Sequence, residues 1–273
     1  MNYLRVLMFE TPHDAYFNIA FEEALARARG CNIIPDTLRF FRNKNAVIIG
    51  YFQRADEEVN INYLKKIDAS LVRRPTGGGA VYHDLGNLNY SIVVSHDRAK
   101  SLSPVDYIFN ELIKGPINAL NSLGFNARVE NINDIVVNNR KVSGTAASIS
   151  WNSIFFHGAM LLKTDIEKLS SVLKVSQKKL IDKGISNVKY RVTNLFDIND
   201  SIKVEEIINS MVESYRKLLN FNGVIYELPS KEEIEIANLL YEEKYRKEEW
   251  NMERAQHLIF TRVEDEINKI CKR

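Results

Sequence analysis

The sequence predicts a mixed α/β fold in which β-sheets are flanked by helices. Residues 14–29 and the chain after residue 204 carry apolar residues at helical spacing. Between them, runs of β-branched and aromatic residues alternate with turn-forming Asn and Gly. No Pro- or Gly-rich linker and no internal repeat divides the 273 residues, a length that one large core can accommodate. We therefore expect one mixed α/β domain with a helical C-terminal tail.

Composition excludes several classes of protein. Apolar residues make up 45% and charged residues 26%, which is ordinary for a globular protein. The formal net charge of +2 is too small to indicate a nucleic-acid-binding protein. No apolar run reaches the ~18 residues that are needed to cross a bilayer. Cys31 and Cys271 lie at opposite ends of the sequence and do not indicate a disulfide framework or a metal cluster. These features predict a protein of a reducing compartment, the cytoplasm.

The first half of the chain begins with an amphipathic helix over residues 14–29, with Asp14 as the N-cap and Gly30 as the stop. Strands 38–42 and 46–51 flank a turn at 43–45 and predict a hairpin. The elements that follow are a helix over 56–68, a strand near 71–73, and a strand, turn, strand pattern over 80–95.

The second half opens with a helix over 108–123 that Gly115-Pro116 could disturb. Strands 132–137 and 141–147 then flank Asn138-Asn139, a pair that tolerates positive φ and favours a tight turn. Ser230 and Glu233 form a candidate capping box for the last strong helical pattern. The remaining predicted elements are a strand over 155–163 and helices over 166–173, 177–182 and 204–219.

The motif RRPTGGGAVYHD, which begins at Arg73, is the most informative segment. Three successive glycines contribute no buried side chain, so their presence indicates that a ligand lies against the backbone. Arg73 or Arg74 could contact a phosphate or carboxylate through the planar guanidinium. A flexible glycine turn with surface arginines is the alternative. The motif fits neither a P-loop nor a dinucleotide fingerprint.

Lys141 is the second candidate. It follows the Asn138-Asn139 turn and precedes small residues that leave room for its side chain to enter a cavity. An ammonium there could stabilise negative charge that develops on a carbonyl oxygen and a phosphate. Arg140, one residue earlier on a strand, should point to the opposite face. The alternative is a solvated hairpin lysine.

His83, His157 and Asp134 give weaker signals. Neither histidine belongs to a pair with metal-ligand spacing, and histidines of this kind more often form hydrogen bonds in or near a core. Asp134 could help to hold a magnesium-nucleotide, although a turn or capping role fits equally well. We therefore expect no metal site made by a cluster of side chains.

Together these motifs resemble the lipoate-protein ligase A family, within the biotin and lipoate ligase superfamily. The resemblance covers about nine-tenths of the chain in the family order. The segments that carry it are PHDAYFNIAFEEAL, NAVIIGYFQRADEEVN, RRPTGGGAVYHDLGN, NDIVVNNRKVSGTA, FFHGAMLL, GISNVKYRVTNL and EEWN.

The resemblance implies the biotin/lipoate ligase catalytic-domain fold over residues 1–251 and a helical tail over 252–273 without the family's accessory domain. Lys141 would be the catalytic cation. The residues that the resemblance implies in binding of ATP and the lipoyl adenylate are Arg74, Gly77, Gly78, Gly79, Ala80, Val81, Tyr82 and Lys141. ATP with Mg²⁺, which Asp134 could help to hold, and lipoate would be the substrates.

The implied reaction has two steps, formation of lipoyl-AMP and transfer of the lipoyl group to a lysine. The acceptors would be lipoyl domains of 2-oxoacid dehydrogenase or glycine cleavage proteins. A separate small subunit would replace the missing domain, and neither nucleic acid nor a membrane is an expected partner.

Two other interpretations remain. One is an octanoyl or lipoyl transferase that uses a carrier- or protein-bound acyl donor without ATP. Many such relatives employ a cysteine nucleophile, and neither Cys31 nor Cys271 lies near the motifs. The other is a catalytically silent acyl-binding protein. Acceptor labelling before and after a Lys141→Ala substitution would separate a silent binder from an enzyme.

Overall fold

A computed structural model describes residues 2–100, 102–174, 191–254 and 260–273, without the side chains of 260 and 261. The strands are β1 Tyr3–Met8, β2 Thr37–Phe41, β3 Asn45–Ile49, β4 Ser70–Arg73, β5 Val81–Asp84, β6 Asn87–Ser95, β7 Ala127–Glu130, β8 Asp134–Val137, β9 Arg140–Ser150, β10 Ser153–Leu161 and β11 Gly223–Glu227. The helices are α1 Ala15–Gly30, α2 Ala55–Glu58, α3 Ile61–Lys66, α4 Pro104–Tyr107, α5 Lys114–Ser122, α6 Ile166–Val172, α7 Leu195–Ile198, α8 Val204–Leu218, α9 Lys231–Leu240, α10 Glu248–Glu253 and α11 Phe260–Cys271.

Two sheets organise the molecule. The larger has eight strands in the order β11-β1-β2-β6-β10-β9-β8-β7, and the smaller has three in the order β4-β3-β5. Strand β1 pairs in parallel with β11 and β2, whereas the pairs from β2 to β7 are antiparallel. The mixed α/β class predicted from the sequence is confirmed.

Helices cover both faces of the larger sheet. Successive strand residues point to opposite sides, and buried apolar residues occur on both. Ile92 and Val94 pack on one side in a core that also contains side chains of α5 and α8. Val93, between them, packs on the other side with α1 and α9. That second core also contains Ile48 of the smaller sheet, so α1 packs against both sheets. A cleft lies between the two sheets beside this helix.

Several predicted local structures are confirmed. Helix α1 begins after Asp14, whose carboxylate accepts a hydrogen bond from the Phe17 amide at 3.0 Å. Strands β8 and β9 pair across the Asn138-Asn139 turn, where both residues have positive φ. Ser230 and Glu233 form the capping box at the start of α9.

The predicted hairpin over residues 38–51 is wrong. Strand β2 lies between β1 and β6 of the larger sheet, whereas β3 lies between β4 and β5 of the smaller one. Nearly every residue of both strands is buried, so the pattern carries no polar face to mark which strand is the neighbour. The strand, turn, strand pattern over 80–95 is divided in the same way, with β5 and β6 in different sheets.

Two predicted helices differ in detail, and one lies outside the described residues. The helix predicted over 56–68 is two short helices, because Val59 is extended and forms a bridge with Leu173. The helix predicted over 108–123 contains a π-turn at Ile108–Leu112 before α5, and Gly115-Pro116 lies inside α5. The predicted helix over 177–182 lies outside the described residues.

The structure overturns the expectation for the cysteines. Cys31 and Cys271 form a disulfide with their Cα atoms 5.5 Å apart, although 240 residues separate them in sequence. Helix α11 packs its buried residues Val263 and Ile267 into the core that contains α1, which brings the two ends together. None of the described helices combines the length and apolar character needed to cross a bilayer.

Candidate active site

The glycine segment connects β4 to β5 at one end of the cleft between the two sheets. Arg74 is the first residue of this loop, and its side chain is buried. The guanidinium donates hydrogen bonds to the carbonyls of Gly77 at 2.6 Å and Gly79 at 2.9 Å, and to the Thr76 hydroxyl at 3.0 Å. Arg74 therefore holds the loop in place with bonds to its backbone.

The local structure requires glycine at only one of the three positions in this loop. A Cβ atom added at Gly77 or Gly79 would meet nothing within 4 Å, so packing inside the protein does not require glycine at either position. Gly78 adopts φ +89°, a conformation that residues with a Cβ rarely adopt. Gly79 lines the cleft, where the lack of a side chain lets a ligand reach the backbone.

Lys141 reaches the same cleft from the larger sheet. It lies at an irregularity in the β8–β9 pairing, where Val136 pairs with Lys141 but Ile135 pairs with Ser143. Such a bulge can redirect a side chain. Its ammonium passes over Gly144, where an added Cβ would lie 2.7 Å from Lys141 Nζ. The bulge and this glycine together allow Lys141 to enter the cleft.

Asp134 holds two cations at this end of the cleft. One carboxylate oxygen lies 2.6 Å from Lys141 Nζ, and the other forms an ion pair with Arg191. Asp134 is buried, so the pairing with both cations offsets the cost of removing its charge from water. In the described part of the chain, no group of three or more His, Cys, Asp or Glu side chains could hold a metal ion.

A chain of buried polar groups links helix α1 to the glycine loop. Glu22 of α1 lies 2.9 Å from His157 Nδ1, and His157 Nε2 lies 2.8 Å from the Thr76 hydroxyl. The same hydroxyl accepts the hydrogen bond from Arg74. The positions of His157 and Arg74 are thereby coupled to α1.

Four buried side-chain polar atoms of residues in the wall of this cleft have no protein partner among the described residues. They are Glu22 Oε1, His83 Nε2 and both side-chain polar atoms of Asn89, all from residues that line it. Burial is the largest cause that lowers the pKa of His83 to about 3, with Arg74 and His157 adding to the effect, so this imidazole is neutral at pH 7. Groups of this kind can form hydrogen bonds to whatever fills the cleft.

The cleft brings most of the predicted residues together. Its space, open solvent at the mouth included, is about 570 Å³. Residues of α1, of the smaller sheet and of the larger sheet all contribute to its walls. The lining residues are Ile19, Glu22, Phe41, Ile48, Arg74, Gly79, Ala80, Val81, His83, Asn89, Tyr90, Asn133, Lys141, Gly144, Thr145, Ala146, His157, Gly158 and Ala159.

Comparison with known proteins identifies the family. The model of the lipoyl protein ligase A/B catalytic domain matches residues 14–216. A relative from Thermoplasma acidophilum, lipoate-protein ligase A subunit 1, is 38% identical over 258 residues, which cover 91% of this chain and 96% of the relative. The chain belongs to the lipoyl protein ligase A/B family.

Solved structures agree with this lipoyl ligase fold. A structure from Thermoplasma acidophilum, described as a bipartite lipoate protein ligase with its E2 lipoyl domain, has a TM-score of 0.82 and 34% identity, covering 95% of this chain and 100% of the other. A lipoate-protein ligase A with bound ATP has a TM-score of 0.80 and 35% identity, covering 92% and 99%.

Several residues predicted for this lipoyl ligase do not line the cleft. Gly77 and Gly78 lie in the loop beside it, and Asp134 lies behind Lys141. Tyr82 is buried in the core of the smaller sheet, where its hydroxyl donates a hydrogen bond to Asn45. Arg73, the first arginine of the basic pair, is buried and bonds to backbone carbonyls, including those of Trp250 and Gly50.

Other residues of the lipoyl ligase cleft were not predicted from the sequence. Glu22 and Asn89 supply buried polar atoms, and Arg191 shares Asp134 with Lys141. A signal was present for Glu22, because Glu22 and Glu23 interrupt the apolar middle of α1 and both are fully buried. Arg191 lies 50 residues beyond Lys141, and no spacing rule links them.

Proposed function

We propose that the chain is the catalytic subunit of an ATP-dependent lipoate–protein ligase. It activates lipoate as lipoyl-AMP and transfers the lipoyl group to a lysine of an acceptor lipoyl domain. The observation that carries this proposal is the convergence of Lys141 and the glycine loop on one cleft. The relatives' names, which describe a subunit of lipoate-protein ligase A and a bipartite ligase with an E2 lipoyl domain, support it.

In the first step the lipoate carboxylate attacks the α-phosphorus of ATP, the bond to the bridging oxygen breaks, and pyrophosphate leaves. The backbone around Gly79 and Ala80 offers N–H groups to the nucleotide without side-chain interference. Lys141 stabilises the negative charge shared by the carboxylate and the α-phosphate. Catalysis is thus mainly positioning and charge stabilisation.

In the second step the neutral amine of the acceptor lysine attacks the activated carbonyl carbon. The carbon–oxygen bond to the phosphate breaks, AMP leaves, and the amine loses its proton. Lys141 stabilises the developing oxyanion. Mg²⁺ would be carried by the ATP substrate. The carboxylate of Asp134 pairs with Lys141 and Arg191 in this structure.

We further propose that residues 1–251 form the catalytic domain, that residues 252–273 are a helical tail, and that a separate small subunit completes the enzyme. The bipartite relative supports the last point. We also propose a cytoplasmic location, which is consistent with the proposed use of ATP. The disulfide is unusual there, although intracellular disulfides are common in hyperthermophilic archaea and bacteria.

The decisive experiment mixes the chain with lipoate, Mg-ATP and an apo lipoyl domain, with and without the small subunit, and measures the acceptor mass. We expect ATP-dependent lipoylation and lipoate-dependent ATP/pyrophosphate exchange. Lys141→Ala should lower the rate about 100- to 1,000-fold. Lys65→Ala, on the exposed face of α3, is the matched control and should leave it unchanged.

The acyltransferase alternative makes a different prediction in the same experiment. A transferase would label the acceptor from a carrier-bound acyl donor without ATP. Such enzymes often use a cysteine, but both cysteines here are joined in a disulfide and neither lines the cleft. Full lipoylation by the chain alone would refute the need for the small subunit. Absence of ATP-dependent labelling under every condition would refute the ligase proposal.

A further inference from the structure

Thr76 lies in the middle of the buried hydrogen-bond chain that links α1 to the glycine loop, and it does not line the cleft. The residue is 1% exposed. Its hydroxyl lies 3.0 Å from Arg74 Nε and 2.8 Å from His157 Nε2. Loss of this one hydroxyl would therefore leave two buried nitrogen atoms without a partner.

The donors and acceptors of this chain follow from a count of protons. A guanidinium can only donate, so the Thr76 oxygen accepts from Arg74 Nε and has its own proton left for His157 Nε2. The ring proton of a neutral His157 is then on Nδ1, which lies 2.9 Å from Glu22 Oε2. An ionised carboxylate can only accept, so this tautomer satisfies every contact in the chain.

Arg74 uses its terminal nitrogens to hold the glycine loop and the smaller sheet. One of them donates to the carbonyls of Gly77 at 2.6 Å and Gly79 at 2.9 Å. The other donates to the Ile48 carbonyl in β3 at 3.2 Å. The guanidinium is planar, so the bond from Nε to Thr76 helps to fix the plane in which both terminal nitrogens lie. The Thr76 hydroxyl thereby sets the direction of the bonds to the loop.

The bond to Gly79 also determines where the next amide points. The peptide between Gly79 and Ala80 is trans, so the carbonyl of the first residue and the N–H of the second point in opposite directions. Because the carbonyl is directed at Arg74, the Ala80 N–H points away from Arg74. Both residues of this peptide line the cleft. The proposed function assigns this N–H to the nucleotide.

We propose that Thr76 is a positioning residue for nucleotide binding. Its hydroxyl, oriented by His157, holds the Arg74 guanidinium in the plane that presents the Gly79–Ala80 peptide to ATP. The inference rests on the proposed ligase function and adds a residue that acts through Arg74. It requires the hydroxyl group itself, whereas the shape of the side chain is secondary.

The test is a Thr76→Val substitution in the enzyme assembled with its small subunit. Valine has nearly the same shape as threonine but lacks the hydroxyl. In lipoate-dependent ATP/pyrophosphate exchange, the KM for ATP should rise about 10-fold, the effect of losing one hydrogen bond to a charged group. The kcat should change by less than about 3-fold, because Lys141 is untouched. Thr76→Ser keeps the hydroxyl and should stay within about 2-fold of the wild-type KM.

Thr164→Val is the matched control. Thr164 is also buried, but its hydroxyl has no partner among the described residues, so the same substitution removes no hydrogen bond there. The KM for ATP of this variant should equal that of the wild type. A 10-fold rise limited to Thr76→Val would therefore reflect the contacts of its hydroxyl.

A double-mutant cycle tests the connection to His157. Asparagine at this position can still donate to Glu22 but is too short to reach Thr76. His157→Asn should therefore raise the KM for ATP about as much as Thr76→Val, and the double variant should be no worse than either single variant. Independent effects that multiply in the double variant would overturn the proposed chain. If Thr76→Val does not fold, an unchanged KM for ATP in His157→Asn has the same meaning.

The remaining outcomes separate the two proposals. An unchanged KM for ATP in Thr76→Val, or an equal rise in Thr76→Ser, would overturn the positioning role of Thr76. A wild-type enzyme without lipoate-dependent exchange would instead refute the proposed ligase function.

Discussion

Lys141 illustrates how a single side chain depends on its neighbours. Its ammonium enters the cleft over Gly144 and pairs with Asp134, which also holds Arg191. The sequence identified Lys141 and Asp134 as candidates and predicted that Arg140 would point away. In the structure the Arg140 side chain is exposed, whereas Lys141 lines the cleft. The bulge that redirects Lys141 depends on pairing with β8 and could not be predicted from local spacing.

Substitutions at the adjacent residues Gly78 and Gly79 test the role of single residues in the glycine loop. Gly79→Ala adds a methyl group where the protein leaves open space, so the free energy of unfolding should not fall. The methyl group would project toward the ligand, and we expect the KM for ATP to rise at least 5-fold in the exchange assay. Gly78→Ala should instead destabilise the fold by about 1 kcal/mol or more, because φ is +89° and Arg74 lies 3.0 Å from the added Cβ. An unchanged KM for Gly79→Ala would contradict close approach of the nucleotide.

The basic pair shows where residue-level prediction stops. Both arginines were candidates for an anion contact, yet Arg73 bonds to the C-terminal segment and Arg74 to the glycine loop. The type of residue indicated a planar donor, but the acceptor depends on contacts between residues distant in sequence. Glu22 and Asn89 were missed for the same reason, because a polar residue in an apolar strand or helix does not reveal which cavity it faces.

At the scale of elements, helix α10 is fixed to the smaller sheet by hydrogen bonds that involve Arg73. The Arg73 amide donates to Asn251 Oδ1 at 2.8 Å, and Trp250 Nε1 donates to the Arg73 carbonyl at 3.0 Å. The Arg73 guanidinium also bonds to carbonyls in the loop after β3, including that of Tyr51. The EEWN segment, which lies in α10, thus connects this helix to β4 and to the loop that adjoins the glycine motif.

Asn251→Ala should therefore destabilise the protein by about 2–4 kcal/mol, since buried backbone groups lose their partners. The Asn251 side chain accepts a hydrogen bond from the Arg73 backbone through Oδ1. Its Nδ2 donates to the carbonyls of Tyr245 at 2.7 Å and Lys247 at 2.8 Å. Urea denaturation would measure the change. Glu249→Ala, an exposed position of the same helix, should shift the free energy of unfolding by less than about 0.5 kcal/mol. A similar small shift for Asn251→Ala would show that α10 contributes little.

Elements were easier to predict than their partners. Periodicity and capping residues located α1, the β8–β9 turn and the start of α9, because these structures depend on neighbours within a few residues. The division of β2 and β3 between two sheets depends on long-range pairing, and their buried sequences carry no alternation that would report it. Strand β7 was not predicted, although its turn to β8 forms the rim of the cleft.

At the scale of the whole molecule, the disulfide between Cys31 and Cys271 connects the end of α1 to the end of α11. An ion pair between Arg27 and Glu264, 2.6 Å apart, reinforces the same contact. This pairing could not be predicted from the sequence, because the two cysteines come close only when α11 packs into the core beside α1.

Cys271→Ser should lower the stability of the folded chain. Cross-links that close long loops restrict the unfolded state most, and we expect a loss of about 2–4 kcal/mol. In a protein of this size that corresponds to a fall in melting temperature of roughly 5–10 °C. Differential scanning calorimetry of the wild type with and without reductant gives the same comparison without a mutation. Equal melting temperatures for the reduced and oxidised wild type would contradict this expectation, and the serine variant should not respond to reductant.

The same bond makes residues 31 to 271 a covalently closed ring. A protease that cuts this ring once would open the chain without releasing a fragment, so the product would keep its full mass until a reductant is added. Gel electrophoresis of the digested protein with and without reductant would therefore distinguish a single cut within the ring from a cut outside it.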